Sequence, residues 1–124
     1  MRRIELIVAC YRKAIERVRR ARQRFTDGDR PAALTLLAEA QLVVSSLASG
    51  YAGGADSLTA NFLRLYEFVS HSLAKATPTD LDAAEKTLGT LLEAFESIRD
   101  QSMTMEIDGD IPALDREHAV QVRA

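Results

Sequence analysis

Apolar residues that recur every three or four positions, in four blocks separated by glycine and proline, constrain this chain more than any other feature. Such spacing returns to the same side of a helix, whereas a strand would alternate with period two, and little of the sequence alternates. The first block is Ile4, Ile7, Val8, Tyr11, Ala14, Ile15, Val18, Ala21 and Phe25, one stripe with arginines opposite. Thr26-Asp27-Gly28-Asp29 then reads as a stop and restart. Gly28 suits a left-handed C-terminal cap, Asp29 an N-cap, and Pro31 a first helical turn, where its missing N–H costs nothing.

The second stripe is Ala33, Leu34, Leu37, Ala40, Gln41, Val44 and Leu47, with Ala48 at its edge, broken by Gly50-Tyr51-Ala52-Gly53-Gly54. Asp56 or Ser57 can cap a third helix with Leu58, Phe62, Leu65, Tyr66, Val69 and Leu73, its face widened by Leu63 and Phe68. Thr77-Pro78 ends it, because the residue before proline disfavours the helical region. Thr79 is the expected N-cap of a fourth helix carrying Leu81, Ala84, Leu88, Leu91, Leu92, Phe95 and Ile98. Gly89 inside it costs up to about 1 kcal/mol relative to alanine, which a close helix crossing would explain. The period is lost over residues 106–124.

The expected fold is therefore all-α: an antiparallel up-down four-helix bundle over residues 1–105, followed by a short C-terminal tail, 106–124. The helices are expected at about 3–25, 30–49, 57–76 and 80–101, joined by short connections that favour antiparallel neighbours. The tail can dock through Ile107, Ile111 and Leu114 or stay mobile. At 124 residues the chain makes one domain, large enough for one core without staples.

Charge is unevenly placed. Residues 1–24 hold nine Arg or Lys against Glu5 and Glu16, while the remainder holds seven basic and sixteen acidic residues. A basic arm for nucleic acid would show this asymmetry, and so would one basic helix lying against acidic neighbours. The arginines are threaded through an apolar repeat, which favours the second. The single cysteine, Cys10, excludes an intramolecular disulfide and reads as a buried small hydrophobe. Glu5 and Arg12-Lys13 interrupt the apolar start too early for a secretory signal, and no apolar run is expected to reach the roughly 20 residues of a membrane span.

Groups for chemistry are sparse. No glycine-rich loop precedes Lys-Ser or Lys-Thr, so a phosphate cradle is not expected. Glu67 and His71 share a helix turn, but a metal needs three or four ligands. Asp82 with Glu85, and Glu93 with Glu96, suit a solvated face. Glu-x-x-His repeats for a di-iron bundle are missing. No enzyme, cofactor or metal is expected.

Within these helices the sequence resembles the flagellar secretion chaperones of the FliS family, over roughly residues 4–101. Asn61-Phe62-Leu63-Arg64-Leu65-Tyr66-Glu67-Phe68, followed by Leu73 and Ala76, is similar to the family's Asn-Leu-x-x-Leu-Tyr-x-Tyr run. Gly28-Asp29, Ala33 and Ala40-Gln41-x-Val43-Val44-x-x-Leu47 match helix two, where the family favours Ala-Gln, two Ile and a Leu. Cys10-Tyr11-Arg12-Lys13-Ala14-Ile15 resembles Leu-Tyr-Asp-Gly-Ala-Ile, with Arg12-Lys13 as a departure. Leu91-Leu92 and Phe95 fall where the family has a Leu pair and an aromatic residue. Family members also carry an extended leader whose Tyr folds over the bundle; this sequence starts almost at helix one, and is expected either to be truncated there or to be a divergent member that lacks the leader.

The resemblance implies a cytoplasmic export chaperone. Its client would be the C-terminal segment of flagellin, kept from premature polymerisation and passed to the flagellar type III export apparatus. An amphipathic client helix would lie in an apolar groove. Tyr11, Ile15, Gln41, Val44, Leu47, Asn61, Leu65, Tyr66 and Val69 are the candidate client-binding residues, with Asn61 and Gln41 bonding the client backbone or each other. Neither nucleic acid nor membrane insertion is expected. The alternative is a regulatory or nucleic-acid-binding helical protein that uses the basic face of helix one; steep salt dependence would distinguish it from apolar docking.

Overall fold

A computed structural model of the chain describes residues 2–50 and 57–107. They form four helices: α1 (Arg3–Thr26), α2 (Arg30–Ser49), α3 (Ser57–Lys75) and α4 (Pro78–Ile107). The break at residues 51–56 and most of the tail, 108–124, lie outside the described residues.

α1 packs against α2 and α4, and α3 completes the bundle against the same two helices. Ion pairs fix the directions. Arg12, Arg19 and Arg22 of α1 meet Glu96, Glu85 and Asp82 of α4, so numbers rise in one helix as they fall in the other. The core takes Ile4, Val8, Tyr11, Ala14, Ile15, Val18 and Ala21 from α1, and Ala33, Leu36, Leu37, Ala40, Val44 and Leu47 from α2. Tyr66, Val69 and Leu73 come from α3, and Leu81, Ala84, Leu88, Leu91 and Phe95 from α4. The all-α antiparallel four-helix bundle read from the sequence is the observed fold.

The α1–α2 corner forms as its residues dictate. Gly28 has φ 81°, and the Gly28 N–H to Phe25 and Asp29 N–H to Arg24 bonds, at 3.1 and 2.8 Å, close a Schellman cap. The Asp29 carboxylate accepts from the Ala32 N–H at 3.2 Å, with Pro31 in the first turn.

At the α3–α4 corner the structure corrects the expectation. Thr77, not Thr79, caps α4. Its hydroxyl accepts from the Asp80 N–H at 3.1 Å and donates to the Asp80 carboxylate at 2.6 Å. Pro78 is then the first helical residue, its preferred place. Helix three stops one residue earlier than expected, because Ala76 takes φ 58° and donates its N–H to the Ser72 carbonyl at 3.0 Å. α4 also runs on to Ile107, past the expected end at 101, since no glycine or proline interrupts it before Gly109.

Three further expectations change. On α2, Leu34 is exposed and Leu36 is buried in its place. Cys10 is half-buried against the core and not enclosed. α2 is long and apolar enough to cross a membrane by length and composition, contrary to the reading of the sequence. Beyond Arg30 at its start, its exposed positions are Pro31, Leu34, Thr35, Ala38, Leu42, Ser45, Ser46 and Ser49, which carry no charge. Here α2 is a bundle helix with six buried residues.

The close crossing proposed for Gly89 is not there either: a Cβ at Gly89 would meet no atom within 4 Å. The same is true of Gly28, yet only Gly28 has a positive φ. One substitution should therefore act with opposite signs. Gly89→Ala is expected to stabilise the fold by about 0.5–1 kcal/mol through helix propensity. Gly28→Ala is expected to destabilise it by about 1 kcal/mol through left-handed strain. Urea denaturation followed by circular dichroism reads both.

Candidate functional site

Four arginines of the basic face of α1 pair with acids on neighbouring helices. Arg17 donates to Glu39 of α2 at 2.6 Å and also meets Glu16. The Glu39 hydrogen bond, set against some desolvation, raises the Arg17 guanidinium above its ordinary value and keeps it charged. Arg22 reaches Glu85 at 2.8 Å and Asp82 at 3.9 Å, Arg19 reaches Glu85 at 2.9 Å, and Arg12 pairs with Glu96. Tyr11, which a nucleic-acid surface would need for stacking, is fully buried. The structure thus shows a basic helix laid against acidic neighbours.

The centre of the bundle is aromatic. Tyr11 stacks on Phe95 with centroids 5.4 Å apart and on Tyr66 at 6.4 Å. Phe62 closes the group against Phe95 at 5.7 Å. The Tyr11 and Tyr66 hydroxyls hydrogen-bond across the core, joining α1 to α3 diagonally. A hydroxyl buried this deeply requires a partner, and each supplies one for the other.

The candidate residues divide by burial. Tyr11, Ile15, Val44, Leu47, Tyr66 and Val69 are buried. Gln41 is occupied: its amide donates to the Ser70 carbonyl and accepts from the Ser70 hydroxyl, both at 2.8 Å, tying α2 to α3. It does not meet Asn61, which is exposed and accepts from Arg64 at 3.1 Å. Asn61 and Leu65 are the two candidates on the surface, Leu65 at 38% exposure.

Phe68, at 46% exposure, joins them. Asn61, Leu65 and Phe68 are spaced four and three apart, so they form one stripe along α3. Half-buried Phe62 extends it toward the aromatic centre. The signal for Phe68 was present in the sequence as an apolar residue beyond what the core-facing stripe of α3 could bury. Leu6, Leu34 and Leu42 are also exposed, Leu42 at 70%, on α1 and α2. Among the described residues, no three His, Cys, Asp or Glu side chains gather where they could hold a metal ion.

The described residues thus form an all-α bundle with an aromatic centre and an exposed apolar stripe on its third helix. The family model described as "Flagellar protein FliS" matches residues 1–102, and the chain belongs to that family of flagellar chaperones. Comparison with curated proteins and with solved structures gave no match.

Proposed function

We propose that the protein binds the C-terminal segment of flagellin in the cytoplasm, prevents its premature polymerisation and helps deliver it to the flagellar type III export apparatus. The observation that carries this reading is the stripe Asn61–Leu65–Phe68 on α3 of a bundle belonging to a flagellar chaperone family. Large apolar side chains held in water at helical spacing are what an amphipathic helix needs for anchoring. Leu65 and Phe68 supply apolar contact, and the Asn61 amide stands at the rim to bond the client's polar edge. The work is recognition and covering of a surface, with no bond made or broken.

Isothermal titration with a peptide from the C-terminal region of the host's flagellin tests this. The expected result is one-to-one binding with a negative heat-capacity change and little difference between two salt concentrations. Absence of binding, or affinity falling steeply with salt, would refute it.

A further inference from the structure

The four helices are not equally fastened. The described ion pairs between helices all have α1 on one side: Arg17 with Glu39 of α2, and Arg12, Arg19 and Arg22 with the acids of α4. The ionisable residues of α3 (Arg64, Glu67, His71 and Lys75) join no ion pair among the described residues. Burial is equally uneven. Among the side chains described, α1 buries seven apolar residues, α2 six and α4 five, whereas α3 buries Tyr66, Val69 and Leu73. Both buried polar residues of the described core, Thr59 and Ser72, belong to α3. The Gln41–Ser70 pair and the Tyr11–Tyr66 hydroxyl bond are polar links that hold α3 to α2 and α1. Cooperative units that open first are those with few buried apolar contacts.

We infer that α3 opens as a unit from a scaffold of α1, α2 and α4, with the Gln41–Ser70 pair as its latch, and that the client binds the opened form. The second half rests on the flagellin-binding reading above. Opening broadens the exposed stripe. Tyr66 and Val69 lie one residue beyond Leu65 and Phe68, so a released α3 presents all four as one continuous face. The seat it leaves on the scaffold includes Tyr11 and Phe95, now in contact with Tyr66 and Phe62. This gives buried candidates such as Tyr11, Tyr66 and Val69 a route to a client that the closed bundle denies them.

A ligand that binds only an opened minority form loses apparent affinity in proportion to that minority, and loosening the latch restores it. Gln41→Ala should therefore tighten client binding. A direct client contact at Gln41 would give the opposite sign.

Native-state hydrogen exchange on the full chain, without client, reads the opening. The α3 amides are expected to share one opening with a shallow denaturant slope. They should be at least about tenfold less protected than the best-protected amides of α1. Gln41→Ala should speed α3 exchange about fivefold and leave α1 unchanged. Titration of the same variant with the flagellin peptide should show affinity raised by a similar factor. Exchange of α3 only through global unfolding would overturn the inference. Early opening with Gln41→Ala binding equally or more weakly would overturn the coupling. Failure of the peptide to bind either protein would refute flagellin as client, and the exchange data would still decide the opening.

Discussion

Tyr66→Ala is expected to cost the bundle about 3–5 kcal/mol, the largest loss from any single truncation on α3. Removing a buried aromatic side chain forfeits its transfer energy and leaves a cavity, and the expected range follows from that sum. Tyr66 is 2% exposed, stacks on Tyr11 and shares its hydroxyl bond. For a chain of 124 residues, total stability is on the order of 6–18 kcal/mol, so the loss is a large fraction of it. Tyr66→Phe separates the two contributions, since it keeps the ring and removes the hydroxyl, for about 1–2 kcal/mol. In a cycle with Tyr11→Phe, the double variant should lose less than the two singles together, because the second substitution no longer strands a donor. Urea midpoints by circular dichroism measure all four proteins. A loss near 1 kcal/mol for Tyr66→Ala would mean that α3 is not seated on the aromatic centre.

How much of this was legible in the sequence depended on each helix's contrast. α1 has arginines opposite its apolar stripe, so Ile4, Val8, Tyr11, Ile15 and Val18 could be assigned inward from spacing alone, and they are inward. α2 lacks that contrast. Outside Arg30 and Glu39 it has no charge, and when every side of a helix is apolar or small the period cannot choose a face. Leu34 was expected inside and Leu36 was not named, and contact with α1 and α3 decided the reverse. The α4 cap was shifted by two residues for a different reason. Thr77 and Thr79 each stand three residues before an aspartate, Asp80 and Asp82, and the pairing of Thr77 with Asp80 places Pro78 at the first helical position. The candidate site suffered the same ambiguity as α2. Apolar anchoring and core packing require the same residue types at the same spacing. Tyr66 and Leu65, adjacent and equally marked in the sequence, therefore separate only once three neighbouring helices are in place. Gln41 shows the complementary limit: its amide needed a partner, and nothing local indicated that Ser70, twenty-nine residues away, would supply it.

Leu65→Glu combined with Phe68→Glu should leave that core intact and remove most of the client affinity. Both side chains are partly exposed and neither packs against the core cluster, so the change in stability is expected to remain within about 1 kcal/mol for the pair, as for surface substitutions generally. Glutamate also keeps a good helix propensity, which protects α3 from unwinding. At the interface the effect is different in kind. An anchor removed from the centre of a contact typically costs 2 kcal/mol or more, and a carboxylate put in its place must be desolvated as well. Affinity for the flagellin C-terminal peptide is therefore expected to fall at least about thirtyfold, since each 1.4 kcal/mol is tenfold. Leu42→Glu is the control, because Leu42 is the most exposed of the large apolar residues described and lies on α2, away from this stripe. It should bind as the parent does. Titration of the three proteins with one peptide, alongside their thermal unfolding, gives both readings. If the double variant bound normally while Leu42→Glu did not, the client would belong on the uncharged outer face of α2, and the exposure of Leu65 and Phe68 would need another partner.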